Sequence, residues 1–534
     1  MTEVKRVFKV NGKPFFPLGG EASNSSGYND NESEMAFKAT KAIHGNTVEI
    51  PVYWEKVEPE EGKFDFTMID ALLTSARKYE IKLVLLWFAT WKNGNMDYAP
   101  AWVKTNPQRF KRVITSSGED LWVLSSHCKA TLEADKKAFV ALCKHLKAKD
   151  NTEQTVIGLQ IENEPGNIGS DRDYSPEGQA EFNSPVPAEL LTAIKKAGKG
   201  RVYDIWQKNG SKNSGVWPDL FGWESGEMMS AWSVANYIES IAASAKIVYD
   251  IPMFINVWMM ESGWSIPGET YPSGGAVSKV LDIYKWFTPH VDMIAPDIKP
   301  SAHKLYAELC SIYSRDDNPF YMPETPPSPD MFRAIADYNL IGYFRMAGSV
   351  ESFLAPDGSI RPESQTGVDT IRSVASAIPL ILKYQGTDKI HAVLQEEFME
   401  EQHIDFDGYW GLISFASGRG SFGARDWRHS TVDMYFKEPP TDPNRGRGLV
   451  FQVSKNEFYL VGVNYRLRLR PKPSADKKQA PLAIKLLGRA LSVDEGHFDK
   501  NGKFVVDRPR NGDQLGSGIW VEADVGVVRI IACT

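Results

Sequence analysis

Apolar runs alternate with stretches of helical periodicity along the first 350 residues of this 534-residue chain. Short runs rich in β-branched residues predict buried strands, and apolar positions three or four residues apart predict amphipathic helices. Strands are predicted over residues 15–20, 46–54, 83–88, 155–164, 253–258, 293–296, 319–323 and 340–344. Helices are predicted over residues 33–43, 68–79, 132–146 and 232–249. Eight strands with helical crossovers indicate the α/β class and a (β/α)8 barrel.

The pattern changes near Gly386. A helix is predicted over residues 368–384, and short alternating runs then predict strands over residues 449–453, 458–463, 519–521 and 525–531. We therefore predict a barrel domain over residues 1–385 and a smaller β-rich, sandwich-like domain over residues 386–534. Two long polar stretches after the fourth strand, residues 166–184 and 208–226, are expected to be insertions, either functional lids or plain surface loops.

The fourth predicted strand ends in two polar residues, Asn163 and Glu164, and Pro165-Gly166 stops it there. In a parallel barrel, the carboxyl ends of the strands carry the chemistry. A carboxyl group beside an amide suggests an acid catalyst next to a hydrogen-bonding group for a polyhydroxylated substrate. Taken alone, the motif also fits an acidic strand cap in a surface loop.

A second glutamate, Glu324, ends the seventh predicted strand and is followed by prolines. It lies 160 residues after Glu164 (324 − 164), which leaves room for three further β/α units and some insertions. Retaining glycoside hydrolysis needs two carboxyl groups about 5–5.5 Å apart, one protonated and one ionised. Mutual repulsion helps to keep the acid protonated. As one of two glutamates at strand ends, Glu324 is predicted to be functional rather than an ordinary loop residue.

Aromatic and polar side chains cluster at the predicted strand ends. Sugars present apolar C–H faces and polar edges, so a sugar pocket combines flat aromatic platforms with amides and carboxylates. Any single tryptophan also fits a core position, Asn256 also fits an amide that satisfies backbone groups, and Tyr321 fits either the barrel interior or the core. The candidate substrate contacts are Glu21, Tyr53, Trp54, Trp87, Trp91, Asn163, Asn256, Trp258 and Tyr321.

Composition narrows the class of partner. The chain is 42% hydrophobic and 24% charged, with a net charge of −7. This mild acidity argues against nucleic acid, whose phosphates favour clustered Lys and Arg. The one notable basic stripe, residues 466–470, alternates as the solvent-facing side of a strand does. The expected partner is an oligosaccharide or small β-glycoside, with no nucleic acid and no membrane, and a homo-oligomer is left open.

No cofactor and no metal are expected. The nine histidines show no metal-binding spacing, no Gly-rich phosphate loop follows a strand, and a Gly-x-Ser-x-Gly motif is absent. The four cysteines are scattered, as in a reducing compartment or as isolated buried thiols. The chain starts with charged residues rather than an apolar signal core, and no run approaches about 18 apolar residues. A cytoplasmic location is the expectation.

Several segments together resemble one clan of glycoside hydrolases, in which an Asn-Glu acid/base follows the fourth barrel strand and a Glu nucleophile follows the seventh. The closest likeness is to the β-galactosidase families 35 and 42, especially family 35-like proteins with an appended β-rich domain. Glu162-Asn-Glu-Pro165 is the most specific match, and the likeness covers most of residues 10–350. The segments that carry it are residues 18–26, 46–55, 58–66, 85–94, 160–165 and 321–324.

The resemblance implies that Glu164 is the acid/base, that Glu324 is the nucleophile and that Asn163 bonds the sugar 2-hydroxyl. Two features depart from family 35, where a tyrosine is common at the position of Pro165 and an aromatic residue is expected in the segment Pro296-Asp-Ile-Lys299.

The expected function is that of a retaining exo-β-glycosidase, chiefly a β-galactosidase, acting through a covalent glycosyl-enzyme. The alternatives are a β-glucosidase or transglycosylase with the same mechanism, a catalytically silent carbohydrate-binding protein, and a metal-dependent barrel hydrolase. Retention of both glutamates argues against the silent protein, and the lack of histidine clusters argues against the metal-dependent one.

Overall fold

The computed structural model describes residues 6–533 except 262, 300–301, 327, 346–347, 397–398, 400, 416–444, 473–489, 511 and 516–517. The strands are β1 (Phe8–Val10), β2 (Lys13–Phe15), β3 (Leu18–Glu21), β4 (Thr47–Tyr53), β5 (Lys82–Lys92), β6 (Arg112–Ile114), β7 (Asp120–Leu124), β8 (Val156–Asn163), β9 (Met253–Val257), β10 (Met293–Pro296), β11 (Met322–Thr325), β12 (Tyr343–Arg345), β13 (Ile390–Leu394), β14 (Glu401–Phe406), β15 (Tyr409–Ser414), β16 (Arg447–Ser454), β17 (Glu457–Val463), β18 (Tyr465–Pro471), β19 (Ala490–Phe498), β20 (Phe504–Pro509), β21 (Ile519–Val521) and β22 (Val527–Ala532). The helices are α1 (Asp30–Ala42), α2 (Trp54–Val57), α3 (Thr67–Lys78), α4 (Ala101–Lys104), α5 (Lys129–Asp150), α6 (Pro176–Phe182), α7 (Ala188–Ala197), α8 (Arg201–Lys208), α9 (Trp217–Phe221), α10 (Ser225–Val248), α11 (Leu281–Phe287), α12 (His303–Tyr313), α13 (Met331–Asp337) and α14 (Gln365–Tyr384).

Eight parallel strands form one sheet in the order β10-β9-β8-β5-β4-β3-β12-β11, and β11 lies against β10, so that the sheet closes. The predicted (β/α)8 barrel is therefore confirmed. Several strand bounds differ from the prediction, and β3 and β12 each begin three residues later than predicted. The clearest differences are in β5, which runs on to Lys92, and in β11, which begins only at Met322. Proline explains the second difference, because Pro319 lacks the N–H that a central strand would donate to its neighbour.

The strands of this barrel bury both of their faces. On β5, Val84, Leu86 and Phe88 belong to a cluster that fills the barrel interior. The intervening residues, such as Leu85 and Trp87, belong to the larger cluster between the strands and the surrounding helices. Because both faces are dry, the strand sequences are continuously apolar rather than alternating.

The β-rich region is built from two antiparallel sheets. One has the order β13-β16-β17-β22-β19-β20 and the other the order β14-β15-β18-β21. Residues of both sheets, among them Leu460, Ile530 and Leu467, pack into one cluster between them. The sandwich-like architecture predicted for this region is thus confirmed. In the basic stripe, Leu467 and Leu469 are buried while the arginines between them are partly exposed, as predicted.

Helix α14 packs against the outer face of the larger sheet. Ile371 and Val374 of the helix share the main core with Leu449 and Val461 of the sheet. The helix that was predicted to end the barrel therefore also covers the β-rich region. The division of the chain at residues 385 and 386 stays a prediction.

The insertions after the fourth barrel strand are more helical than the sequence indicates. Helix α6 lies inside the first predicted insertion and α9 inside the second, with α7 and α8 between them. Ser175 caps α6 by accepting from the backbone N–H of Gly178, and Pro176 occupies the first turn.

None of the helices described is both long and apolar enough to cross a membrane. Cys128, Cys143 and Cys310 are buried thiols, which is the second of the two explanations offered for the scattered cysteines.

The barrel interior should respond strongly to loss of volume. Leu86 is 1% exposed, so Leu86→Ala leaves a cavity and should lower the free energy of unfolding by about 2–5 kcal/mol. Ile247 is 86% exposed on α10, and Ile247→Ala should change it by less than about 0.5 kcal/mol. Denaturant titration of both variants checks this, and equal losses would contradict the assignment of Leu86 to the interior.

Candidate active site

The two predicted glutamates meet at the carboxyl edge of the barrel. Glu164 directly follows β8, Glu324 lies within β11, and both are almost completely buried. Asp297, which follows β10, joins them, and one carboxyl oxygen from each of the three lies within 4.8 Å of the others. Asp297 is therefore an additional acid beside the predicted pair, and the sequence analysis did not select it.

The backbone at the end of β8 is held in an unusual conformation. Glu162 and Glu164 have φ angles of 61° and 47°, in the left-handed region that non-glycine residues rarely adopt. The intervening Asn163 is the last residue of the strand. Such conformations cost about 1–3 kcal/mol each and persist only where surrounding contacts enforce them. Here the backbone N–H of Glu164 donates to Asn256 Oδ1 at 2.8 Å.

Two amides hold Glu324. Asn256 Nδ2 donates to Glu324 Oε1 at 3.2 Å and to Asp297 Oδ2 at 3.0 Å. Asn163 Nδ2 lies 3.5 Å from the same Glu324 oxygen. An ionised carboxylate only accepts hydrogen bonds, so this pair of N–H donors suits a charged Glu324.

Glu164 has a different environment. Burial and the neighbouring Glu324 raise the pKa of Glu164 to about 7, against the opposing effect of two lysines. Asn93 Nδ2 donates to Glu164 Oε2 at 2.6 Å, and Asn93 itself has a left-handed φ of 53°. A carboxyl group with this pKa holds a proton through much of the neutral range and is able both to donate and to accept it.

Further buried acids surround this pair. Burial raises the pKa values of Glu21, Glu49 and Asp297 well above their usual range, and neighbouring carboxyl groups raise each of them further. A side-chain hydrogen bond with Glu324 is among the causes that raise the pKa of Glu21. Tyr321 OH donates to Glu49 Oε1 at 2.8 Å. Glu49 was missed by the sequence analysis, although a lone acid within the apolar strand 46–54 was the available signal.

Two lysines supply the positive charge. Lys299 Nζ lies 3.4 Å from Glu324 Oε2 and 3.8 Å from Glu164 Oε1. Burial opposes the charge of Lys299, but Glu324, Asp297 and Glu164 outweigh it and raise its pKa above the usual range. Lys92 Nζ donates to Asn163 Oδ1 at 2.9 Å. Neither lysine was among the candidates, because nothing local in the sequence distinguishes them from surface lysines.

The three carboxyl groups offer the donor atoms that a cation would need. The ammonium group of Lys299 already brings a positive charge to two of them. The expectation of hydrolysis without a metal or cofactor stays a prediction.

Two of the predicted sugar platforms lie elsewhere. Trp54 and Trp87 are completely buried in the main core. Trp54 Nε1 donates to Glu58 at 3.0 Å, and Trp87 Nε1 donates to Asp135 at 2.9 Å. Because alternate residues of a strand face opposite sides, Trp87 points away from the barrel interior. The structure does not bring either indole to the carboxyl groups of Glu164 and Glu324, and we assign both to core packing.

The remaining predicted aromatic contacts differ in how deeply they are buried. Trp91 is fully buried against the ring of Tyr237, whereas Trp258, just after β9, is only partly buried. Tyr53 stacks on Tyr28 with ring centroids 3.9 Å apart, and its hydroxyl donates to Asn24 O. Trp258 is thus the predicted platform that keeps an accessible face.

A second buried acid pair lies behind the site, outside the barrel. Asp135 of α5 accepts from the Trp87 indole, from Thr90 Oγ1 at 2.7 Å and from Tyr237 OH at 3.1 Å. Glu162 accepts from the backbone N–H of Trp91 at 2.7 Å, and burial together with Asp135 raises its pKa well above the usual range. These contacts tie the end of β5 to the end of β8.

Comparison with known proteins supports a glycoside hydrolase. Residues 26–218 match the Glyco_hydro_42 family model, described as Beta-galactosidase, and residues 372–522 match a domain of unknown function, DUF5597. The first match includes Glu164 and ends before Glu324. No curated protein matches the sequence. Residues 26–218 of the barrel are therefore similar to glycoside hydrolase family 42, and this part of the predicted resemblance is confirmed. The likeness to family 35 stays a prediction.

Three solved structures are similar to this chain at low sequence identity. A β-galactosidase from Rahnella sp. R3 is 16% identical with a TM-score of 0.50, over 71% of this chain and 59% of that one. A family 42 β-galactosidase from G. stearothermophilus is 17% identical with a TM-score of 0.48, over 70% of this chain and 58% of that one. The catalytic domain of a β-amylase from Paenibacillus polymyxa is 14% identical with a TM-score of 0.48, over 65% and 95%. The matches thus span less than two thirds of both β-galactosidase chains.

The buried acids make stability depend on pH. Glu49 is fully buried and its pKa is raised above the usual 4.5, so the folded state favours the neutral form while the unfolded chain ionises. Stability is therefore present at low pH and is lost as pH rises from about 4.5 towards the folded pKa. Glu49→Gln keeps an acceptor for Tyr321, and its free energy of unfolding should fall less steeply with pH, by up to about 1.4 kcal/mol per unit.

Denaturant titrations at pH 5, 6 and 7 measure this slope for the wild type and the variant. Glu189→Gln, at an exposed position of α7, is the matched control and should follow the wild type. Parallel curves for Glu49→Gln and the wild type would show that Glu49 is ionised in the folded protein.

Proposed function

We propose that this glycoside hydrolase is a retaining exo-β-glycosidase that acts on β-galactosides through a covalent glycosyl-enzyme. The observation that carries the proposal is the close approach of Glu164 and Glu324, whose nearest carboxyl oxygens lie within 4.8 Å. Retaining enzymes hold their carboxyl groups about 5–5.5 Å apart, whereas inverting enzymes need about 6.5–9.5 Å to admit a water. The short separation favours retention.

The different surroundings of the two carboxyl groups support different roles. Glu164, with a pKa of about 7, is the general acid. Glu324, held by the amides of Asn256 and Asn163, is the nucleophile. When the environments of two neighbouring carboxyl groups keep one protonated and the other ionised, the protonated group is assigned as the acid and the ionised group as the nucleophile.

The first step forms the glycosyl-enzyme. An ionised oxygen of Glu324 attacks the anomeric carbon, the bond from that carbon to the glycosidic oxygen breaks, and the proton of Glu164 passes to the leaving oxygen. In the second step Glu164 takes a proton from water, the water oxygen attacks the anomeric carbon, and Glu324 leaves as a carboxylate. The second step returns the proton to Glu164, so the cycle is closed.

Several side chains remain candidates for contact with the sugar. We propose that Asn163 bonds the 2-hydroxyl, where a contact strengthens as the oxocarbenium-like transition state forms. Glu21, which lies beside Glu324, is a further proposed partner for the sugar hydroxyl groups, and Trp258 offers a partly exposed face. The family model described as Beta-galactosidase is the support for galactose over glucose.

Removal of the nucleophile tests the proposal directly. On aryl β-galactosides, Glu324→Ala should lower the rate of phenol release by at least ~10³-fold, because the covalent route is lost. Glu308→Ala removes an exposed acid of α12 and should leave the rate unchanged. Turnover by Glu324→Ala at the rate of the wild type would refute its role. A panel of aryl β-glycosides decides the sugar, and preference for the glucoside would replace the galactosidase assignment.

Azide separates the two roles. In Glu164→Ala with an activated aryl galactoside, the intermediate should accumulate, and azide should restore turnover and give the β-glycosyl azide. In Glu324→Ala, azide replaces the missing carboxylate as the attacking group and should give the α-glycosyl azide. NMR of the products distinguishes the anomers, and the opposite pairing of anomer and variant would exchange the roles assigned to the two glutamates.

A further inference from the structure

Lys299 lies between the two carboxyl groups that the proposed reaction uses. Its ammonium nitrogen is 3.4 Å from Glu324 Oε2 and 3.8 Å from Glu164 Oε1. Its segment follows β10, the barrel strand next to β11, and also carries Asp297. Thus one cation contacts both members of the pair.

A bound sugar requires the same space. The anomeric carbon has to lie against the nucleophile and the glycosidic oxygen against the acid, so both atoms fall between Glu324 and Glu164. Because the Lys299 ammonium lies within 4 Å of one oxygen of each carboxyl group, we infer that it overlaps this gap. Sugar and ammonium therefore compete for one position.

The two lysines of the site differ in how firmly they are held. The Lys92 side chain is buried, donates to Asn163 Oδ1 at 2.9 Å and lies 4.9 Å from the centre of the Phe88 ring. The Lys299 side chain is 49% exposed, and its two ion-pair distances are long. The four-carbon stem of a lysine is flexible, so the Lys299 ammonium is able to move towards water while Lys92 stays in place.

We propose that Lys299 is a positioning residue that bridges Glu164 and Glu324 in the empty site and is displaced by the sugar ring on binding. This inference rests on the proposed glycosidase function. It makes the charge state of the catalytic pair depend on whether substrate is bound.

The charges around the pair set the direction of the effect. Glu164 just after β8, Glu324 on β11 and Asp297 on the segment of Lys299 face that lysine. Glu21 on β3 and Lys92 on β5 face the same carboxyl groups. The cation favours the ionised form of each acid. When Lys299 leaves, the pKa of Glu164 rises above its value of about 7, so the acid becomes protonated when it has a leaving group to protonate.

Paired pH profiles test the displacement, because kcat/KM reports the free enzyme and kcat reports the enzyme–substrate complex. In Lys299→Met the alkaline limb of kcat/KM should move upward by about one pH unit, since the free enzyme loses the bridging cation. The alkaline limb of kcat should stay where it is in the wild type. Lys299→Arg keeps the charge and should leave both limbs in place, as should Lys304→Met, which removes an exposed charge of α12.

A second readout is independent of turnover. Galactose binding followed by calorimetry near pH 7, in buffers of different ionisation enthalpy, should show uptake of a fraction of a proton by the wild type and less by Lys299→Met. Equal shifts of both kinetic limbs, or no shift in either, would overturn the displacement of Lys299 even if the enzyme cleaves galactosides normally. Absence of both turnover and sugar binding would overturn the proposed function, and this inference with it.

Discussion

The free-energy cost of burying several carboxyl groups close together is the main constraint on the site of this protein. Glu164, Asp297 and Glu324 are buried and come within 4.8 Å of one another, and the buried Glu21 and Glu49 also interact with Glu324. Such a cluster cannot be fully ionised, because each charge lacks hydration and repels its neighbours. Some of these carboxyl groups therefore hold a proton, and others are neutralised by a nearby lysine. This difference allows one carboxyl group to act as an acid and another as a nucleophile.

The fold enforces this crowding by several independent means. Parallel strands bring the carboxyl ends of β8, β10 and β11 to one edge, and the amide of Asn256 reaches all three acids or their backbone. Glu162 and Glu164, on either side of Asn163, have left-handed backbone conformations that orient the end of β8. The buried hydrogen bonds of Glu162 and Asp135 stabilise that conformation from outside the barrel. The stability lost to strain and desolvation is offset by the extensive apolar packing on both faces of the strands.

How far the sequence predicts this structure depends on the range of the interaction. The strands and the Glu164–Glu324 pair are predictable, because apolar runs, prolines and strand ends are local signals. Trp54 and Trp87 were placed in the pocket because nearness to a strand end does not reveal which face a side chain takes. Lys299 and Glu49 are not among the predicted site residues, because their significance arises only when distant strands become neighbours. Helices α6 and α9 lie in stretches whose polar composition indicates loops.

The central claim is that Glu324 forms a covalent bond to the sugar, and trapping the intermediate tests it most directly. A 2-deoxy-2-fluoro-β-galactosyl fluoride destabilises the oxocarbenium-like transition state but carries a good leaving group, so the glycosyl-enzyme should accumulate. Mass spectrometry of the intact protein should show one added fluorosugar, and peptide mapping should place it on Glu324. A label on Glu164 or Asp297, or an active enzyme that never acquires a label, would contradict this account.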